Sequence, residues 1–107
     1  MEKEGFRICN NRGIHITFKN NVTVSIQFGV GNYCENRYKD YDTHYNKPMK
    51  SVDCELAIWD NNINEYEAQW ITSRCPYVNT YGDMVVGYIV ADKIPDILKW
   101  AKEYKED

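Results

Sequence analysis

No stretch of this 107-residue chain approaches the run of about eighteen apolar residues that a membrane helix needs, so no membrane span is expected. Positive charge is not in excess either. Thirteen Lys and Arg stand against sixteen Asp and Glu, a net charge of −3, which argues against general binding to a phosphate backbone. Proline is scarce, and Cys9, Cys34, Cys54 and Cys75 contain no Cys-x-x-Cys pair, so a zinc site would have to be assembled from isolated ligands with His15 or His44. The segment Met1-Glu2-Lys3-Glu4-Gly5 is charged and has no apolar signal-peptide core, from which a cytoplasmic location is expected. Thiols stay reduced there, so a disulfide framework is not expected. Cys9 and Cys54 read as small buried apolar residues. The chain shows no repeat, low-complexity tract or linker.

The hydrophobic fraction of 43% is ordinary for a globular protein, whereas 14% aromatic, with nine Tyr, is high. The length suits a single domain, residues 1–107. Phe6 to Cys9 reads as a short strand, and Asn10-Asn11-Arg12-Gly13 as a turn whose residues tolerate positive φ. Ile14, Ile16 and Phe18 then alternate with His15 and Thr17. After a turn at Lys19-Asn20-Asn21, Val22, Val24, Ile26 and Phe28 alternate with Thr23, Ser25 and Gln27. Two such period-2 runs predict a hairpin with one apolar and one wet face.

Residues 29–50 read as a long loop. Ser51 to Trp59 places Val52, Cys54, Leu56 and Ile58 on one side of a further strand, Glu67 to Thr72 follows a turn, and Met84 to Val90 is the last extended run. A C-terminal helix is predicted from the helical spacing of Ile94, Ile97, Leu98 and Ala101, with Asp92 as its cap, Pro95 in its first turn and Lys99, Lys102 and Lys105 toward its end. The expected architecture is α+β, a two-layer domain in which a curled antiparallel sheet is closed by this amphipathic helix.

Candidate chemistry gathers in the long loop. Gly29-Val30-Gly31-Asn32-Tyr33-Cys34 follows a strand directly, and its two glycines would let backbone N–H groups approach an anion, or else serve a structural corner. The complete dinucleotide or P-loop spacing is missing, and no cofactor is expected. Tyr33, Tyr38, Tyr41 and Tyr45 interleave with Arg37, Lys39, Lys47 and Lys50. Tyrosine rings can stack on a base while cations meet phosphates, and tyrosine equally suits a protein interface. The candidate ligand-binding residues are Gly29, Gly31, Asn32, Tyr33, Arg37, Tyr38 and Tyr41. Cys34 and His44 resemble a nucleophile and base without any surrounding signature, and no catalytic residue is assigned. Asp53 and Glu55 share a strand face that could hold a metal, form an acid/base pair or simply be solvated.

The hairpin running into Gly29-Val30-Gly31-Asn32-Tyr33-Cys34, the segment Glu55-Leu56-Ala57-Ile58-Trp59-Asp60 and the tail Ile97-Leu98-Lys99-Trp100-Ala101 resemble a widespread group of small proteins encoded by phages and prophages. The resemblance covers most of the chain, and residues 61–69 look longer than the group's short turn after Trp59. It implies a host-directed binding protein acting in the cytoplasm of the host cell. Such a protein would be an anti-defence factor that sequesters a small nucleotide signal or blocks a defence effector protein, CRISPR-type or other. Two alternatives stay open: a small phosphodiesterase-like enzyme acting on a nucleotide through His15 or His44, and a phage structural or assembly accessory. Association into a homo-oligomer is also open.

Overall fold

Alternation of apolar and polar residues gives six strands, and the computed structural model describes residues 3–44, 47, 49–64, 66–80 and 84–106. The strands are β1 (Gly5–Cys9), β2 (Gly13–Thr17), β3 (Val22–Gln27), β4 (Asp53–Asp60), β5 (Gln69–Trp70) and β6 (Val85–Val90). They make one antiparallel sheet in the order β1-β2-β3-β4-β5, with β6 pairing β4 along Asp53 to Ala57 and β5 pairing it at Trp59 and Asp60. The predicted Glu67–Thr72 strand is thus only two residues long, because the chain turns into a 3-10 turn at Thr72–Arg74. Asn10, Asn11 and Asn21 take positive φ in the two hairpin turns, as short polar side chains permit.

The C-terminal helix forms as expected, as α2 (Ile94–Glu103), but Asp92 does not cap it. Asp92 lies in a 3-10 turn, Ala91–Lys93, that leads into the helix, and the cap position falls to Lys93 with no side-chain cap bond. Pro95 sits in the first turn, where its missing N–H has no intrahelical acceptor to lose. Ile97 and Ala101 of α2 are completely buried against Val22, Val24, Leu56 and Ile58, and Ile71 and Cys75 close the same core. Asn20 secures the helix end, donating to the carbonyls of Ala101 at 2.8 Å and Tyr104 at 3.2 Å.

Two expectations for the hairpin are corrected. Ile14 and Ile16 share a face with Val24 and Ile26 but lie outside the core, because α2 covers β3 and β4 and stops short of β1 and β2. The supposedly wet face is buried along its middle, at Thr17, Thr23, Ser25 and Ala57. His15 on β2 and Trp59 on β4 flank β3, and their rings meet edge to face at 5.0 Å, so they bridge over the small β3 side chains. Beneath them Thr17 and Thr23 share a hydroxyl hydrogen bond of 2.8 Å, and Asn61 donates to Thr23 at 2.9 Å. The buried hydroxyls are therefore satisfied.

Candidate functional site

The segment 29–40 folds as a compact loop over the polar end of the sheet, on the face opposite α2. Asp53 and Glu55 alternate with the core residues Cys54 and Leu56, so their carboxylates point to that opposite face. Both are half-buried, and both accept hydrogen bonds from the loop backbone. Glu55 accepts the backbone N–H of Tyr33 at 2.9 Å and the Asn32 side chain at 3.3 Å, while Asp53 accepts the N–H of Glu35 at 2.7 Å. Asn36 is fully buried and ties the loop ends together, donating to the carbonyls of Phe28 at 2.6 Å and Lys50 at 3.0 Å.

Of the two roles open to the glycine loop, these bonds favour the structural corner over the anion cradle. The Gly29 N–H is held by the Asn32 side chain, that of Gly31 by the Arg37 carbonyl, and those of Tyr33 and Glu35 by carboxylates. Donors already bonded to carboxylates cannot greet a phosphate. Gly31, at φ +86°, is needed for the turn, and Gly29 is buried against the stem of Arg12. Asn32 is 6% exposed and serves as the internal brace of the turn. Cys34 is 2% exposed with its thiol directed at the Gly29 carbonyl, a setting unsuited to nucleophilic attack. None of the four cysteines is in a disulfide, and all four are buried.

Of the candidate residues the loop presents Tyr33, Arg37 and Tyr38, beside the exposed charged side chains of Glu35, Lys39 and Asp40. The guanidinium of Arg37 lies 4.0 Å from the centre of the Tyr33 ring and 5.4 Å from that of Tyr38, and it donates to the Gly31 carbonyl at 3.3 Å. Its pKa is raised above the ordinary guanidinium value, chiefly by a side-chain hydrogen bond with Tyr38. Tyr33 is 41% exposed and Tyr38 91%. Tyr41, also exposed, stands further along on the four-residue helix α1 (Tyr41–His44). Tyr45 and the side chain of His44 lie outside the described residues.

A second wall comes from β6. The register between β4 and β6 shifts between Cys54 and Leu56, so Gly87 and Tyr88 together oppose the single residue Glu55. This is a β-bulge, and Tyr88 occupies it with a left-handed φ of 59°, an uncommon conformation for a bulky residue. Its N–H donates to the Tyr33 carbonyl at 2.9 Å. A Cβ at Gly87 would come within 2.5 Å of the Tyr33 Cβ, so glycine is what lets the loop dock. Tyr33, Met84, Val85, Gly87 and Tyr88 enclose a recess of about 450 Å³. The sequence reading missed Gly87 and Tyr88; the available signal was a lone glycine inside an apolar strand, which marks a bulge or a close backbone approach.

A broader recess of about 650 Å³ lies at the other end of the same face, with Lys3, Glu4, Arg7, Trp59, Tyr66 and Glu67 in its lining. It mixes both signs of charge, whereas the loop recess is lined by two tyrosines, one of which, Tyr33, carries the Arg37 guanidinium on its ring. Among the described residues no group of three or more His, Cys, Asp or Glu is placed to hold a metal ion, and no helix is long and apolar enough to cross a membrane. In comparisons with family models, curated proteins and solved structures the chain matches none, so the chemistry of the site rests on its geometry.

Proposed function

We propose that the chain is a phage-encoded, host-directed binding protein, an anti-defence factor that sequesters a small nucleotide signal at Tyr33, Arg37 and Tyr38. The observation that carries this reading is the Arg37 guanidinium held 4.0 Å from the Tyr33 ring beside an open recess. A nucleotide offers a flat π-face and a phosphate, and this cluster offers a stacking ring and a fork of charged N–H donors. Tyr88, across the recess, supplies a further ring. The loop is braced from below by Asp53, Glu55 and Asn36, so the groups that meet the ligand stand on an ordered support. Preorganisation of this kind lowers the entropic cost of binding.

A second reading is favoured by one observation, the 91% exposure of Tyr38 with Tyr41 at 53%. Tyrosines so displayed also suit the surface of a protein partner, here a defence effector. Native mass spectrometry of the protein purified from infected cells separates the possibilities. A captured nucleotide adds its mass, raises absorbance at 260 nm relative to 280 nm and returns intact on denaturation, and Arg37→Ala abolishes the adduct. Hydrolysed nucleotide released over many turnovers would instead indicate an enzyme. An adduct-free protein that retains a host protein through Tyr38 would shift the function to effector blocking.

A further inference from the structure

β1 forms one edge of the sheet, and among the described residues no strand pairs with its outer side. The hydrogen bonds of the hairpin define which of its backbone groups are left there. Phe28 donates to the Arg12 carbonyl and Phe18 to the Val22 carbonyl, so the even-numbered residues of β2 bond to β3 and the odd-numbered ones bond to β1. Their partners Gly5, Arg7 and Cys9 therefore turn inward, and the N–H and C=O groups of Phe6 and Ile8 face outward.

The same two residues carry the most exposed apolar side chains of the sheet, Phe6 at 81% and Ile8 at 77%. They continue the row of Ile16 and Ile14, and a groove of about 390 Å³ with Phe6, Ile16 and Phe18 in its lining separates that row from Lys102 of α2. Soluble proteins protect bare edges with proline, bulges or inward-pointing charge. β1 has no proline and no register shift, and its single charged residue is Arg7, which projects to the other face.

We propose that β1 pairs with β1 of a second copy of this chain, antiparallel across a two-fold axis at Phe6. Two features favour a second copy over an unrelated strand. The edge is self-complementary, since a two-fold rotation returns outward-facing N–H and C=O groups against the same groups and sets aromatic Phe6 beside aromatic Phe6. Charge then narrows the register. Centring the axis on Arg7 would set like charges directly opposite each other, whereas a shift placing Phe6 on the axis sets Arg7 opposite Gly5, which has no side chain, and Ile8 opposite Glu4. The pairing is independent of the nucleotide reading, because β1 lies at the far edge of the sheet from β6 and its recess.

The test is the solution mass together with two variants. The wild-type chain should sediment with an even number of copies at micromolar concentration. Ile8→Pro removes an outward N–H that β2 does not use, so it should at least halve the assembled mass while retaining the circular dichroism spectrum of the parent. Phe6→Cys should form a covalent dimer under mild oxidation, since residues opposed across an antiparallel pair have Cα atoms about 5.5 Å apart, within disulfide reach. A monomeric wild-type chain, or an assembly unaffected by Ile8→Pro, would overturn the proposal. If Ile8→Pro fails to fold, absence of the Phe6→Cys cross-link overturns it by itself, and an Ile8→Cys cross-link appearing in its place would overturn the register.

Discussion

Arg37 is held by groups of its own chain, the Gly31 carbonyl and the rings of Tyr33 and Tyr38, yet its guanidinium has five donors and these contacts leave capacity for a phosphate. Arg37→Ala should therefore lower nucleotide affinity by at least tenfold and reduce its salt dependence, whereas Tyr33→Phe keeps the stacking face and should retain most of the affinity. Isothermal titration at two salt concentrations checks both. The thiol of Cys54 makes a different kind of prediction. Burial, with smaller contributions from Asp53, Cys34 and Glu55, pushes its pKa up from 9.0 to about 11. The folded state thus holds this proton more tightly than the unfolded chain does, so its contribution to stability is complete below the ordinary thiol value and fades as pH rises from 9.0 toward about 11. Urea midpoints across that window should fall more steeply in the wild type than in Cys54→Ala.

At the scale of elements, α2 holds the sheet mainly through Ile97 and Ala101, both fully buried, while Leu98 packs at the margin of the core. Ile97→Ala should cost about 2–5 kcal/mol, and Leu98→Ala clearly less, when both are measured by chemical denaturation. Equal losses would mean that the helix sits differently on β3. The helix and the hairpin were legible in the sequence because local periodicity encodes them, through apolar residues every three or four positions at 94–101 and every second position at 14–28. Coverage was not legible. Nothing local says that α2 stops short of Ile14 and Ile16, nor that His15 and Trp59, 44 positions apart, close over Thr23 and Ser25. The candidate site divides in the same way. Tyr33, Arg37 and Tyr38 were readable as a cluster of neighbours in sequence, but the β6 bulge at Gly87 and Tyr88 joins them only through the fold. Asp53 and Glu55 had been open to metal or acid/base roles because a strand face alone does not reveal which backbone will descend onto it.

Across the whole molecule, β4 is the strand on which these parts converge, since it pairs with β3, β5 and β6, contributes Leu56 and Ile58 to the core and anchors the loop through Asp53 and Glu55. Ligand binding at the loop should therefore be felt by the global unfolding transition rather than by a separately melting segment. A ligand that binds only the folded state adds about 2.7 kcal/mol at a hundredfold excess over its Kd, which raises the midpoint of a domain this size by several degrees. Glu55→Ala tests the connection. It removes the acceptor for the Tyr33 N–H and the Asn32 side chain, both charge-assisted bonds on a half-buried carboxylate, at a cost of about 1–3 kcal/mol. Without that anchor Tyr33 is no longer held against Gly87, so the variant should lose nucleotide affinity and also most of the ligand-dependent rise in its melting temperature. A variant that melts lower in the free state yet shows the full rise with nucleotide would mean that the ligand reorders the loop by itself, and that Glu55 stabilises the fold without positioning the site.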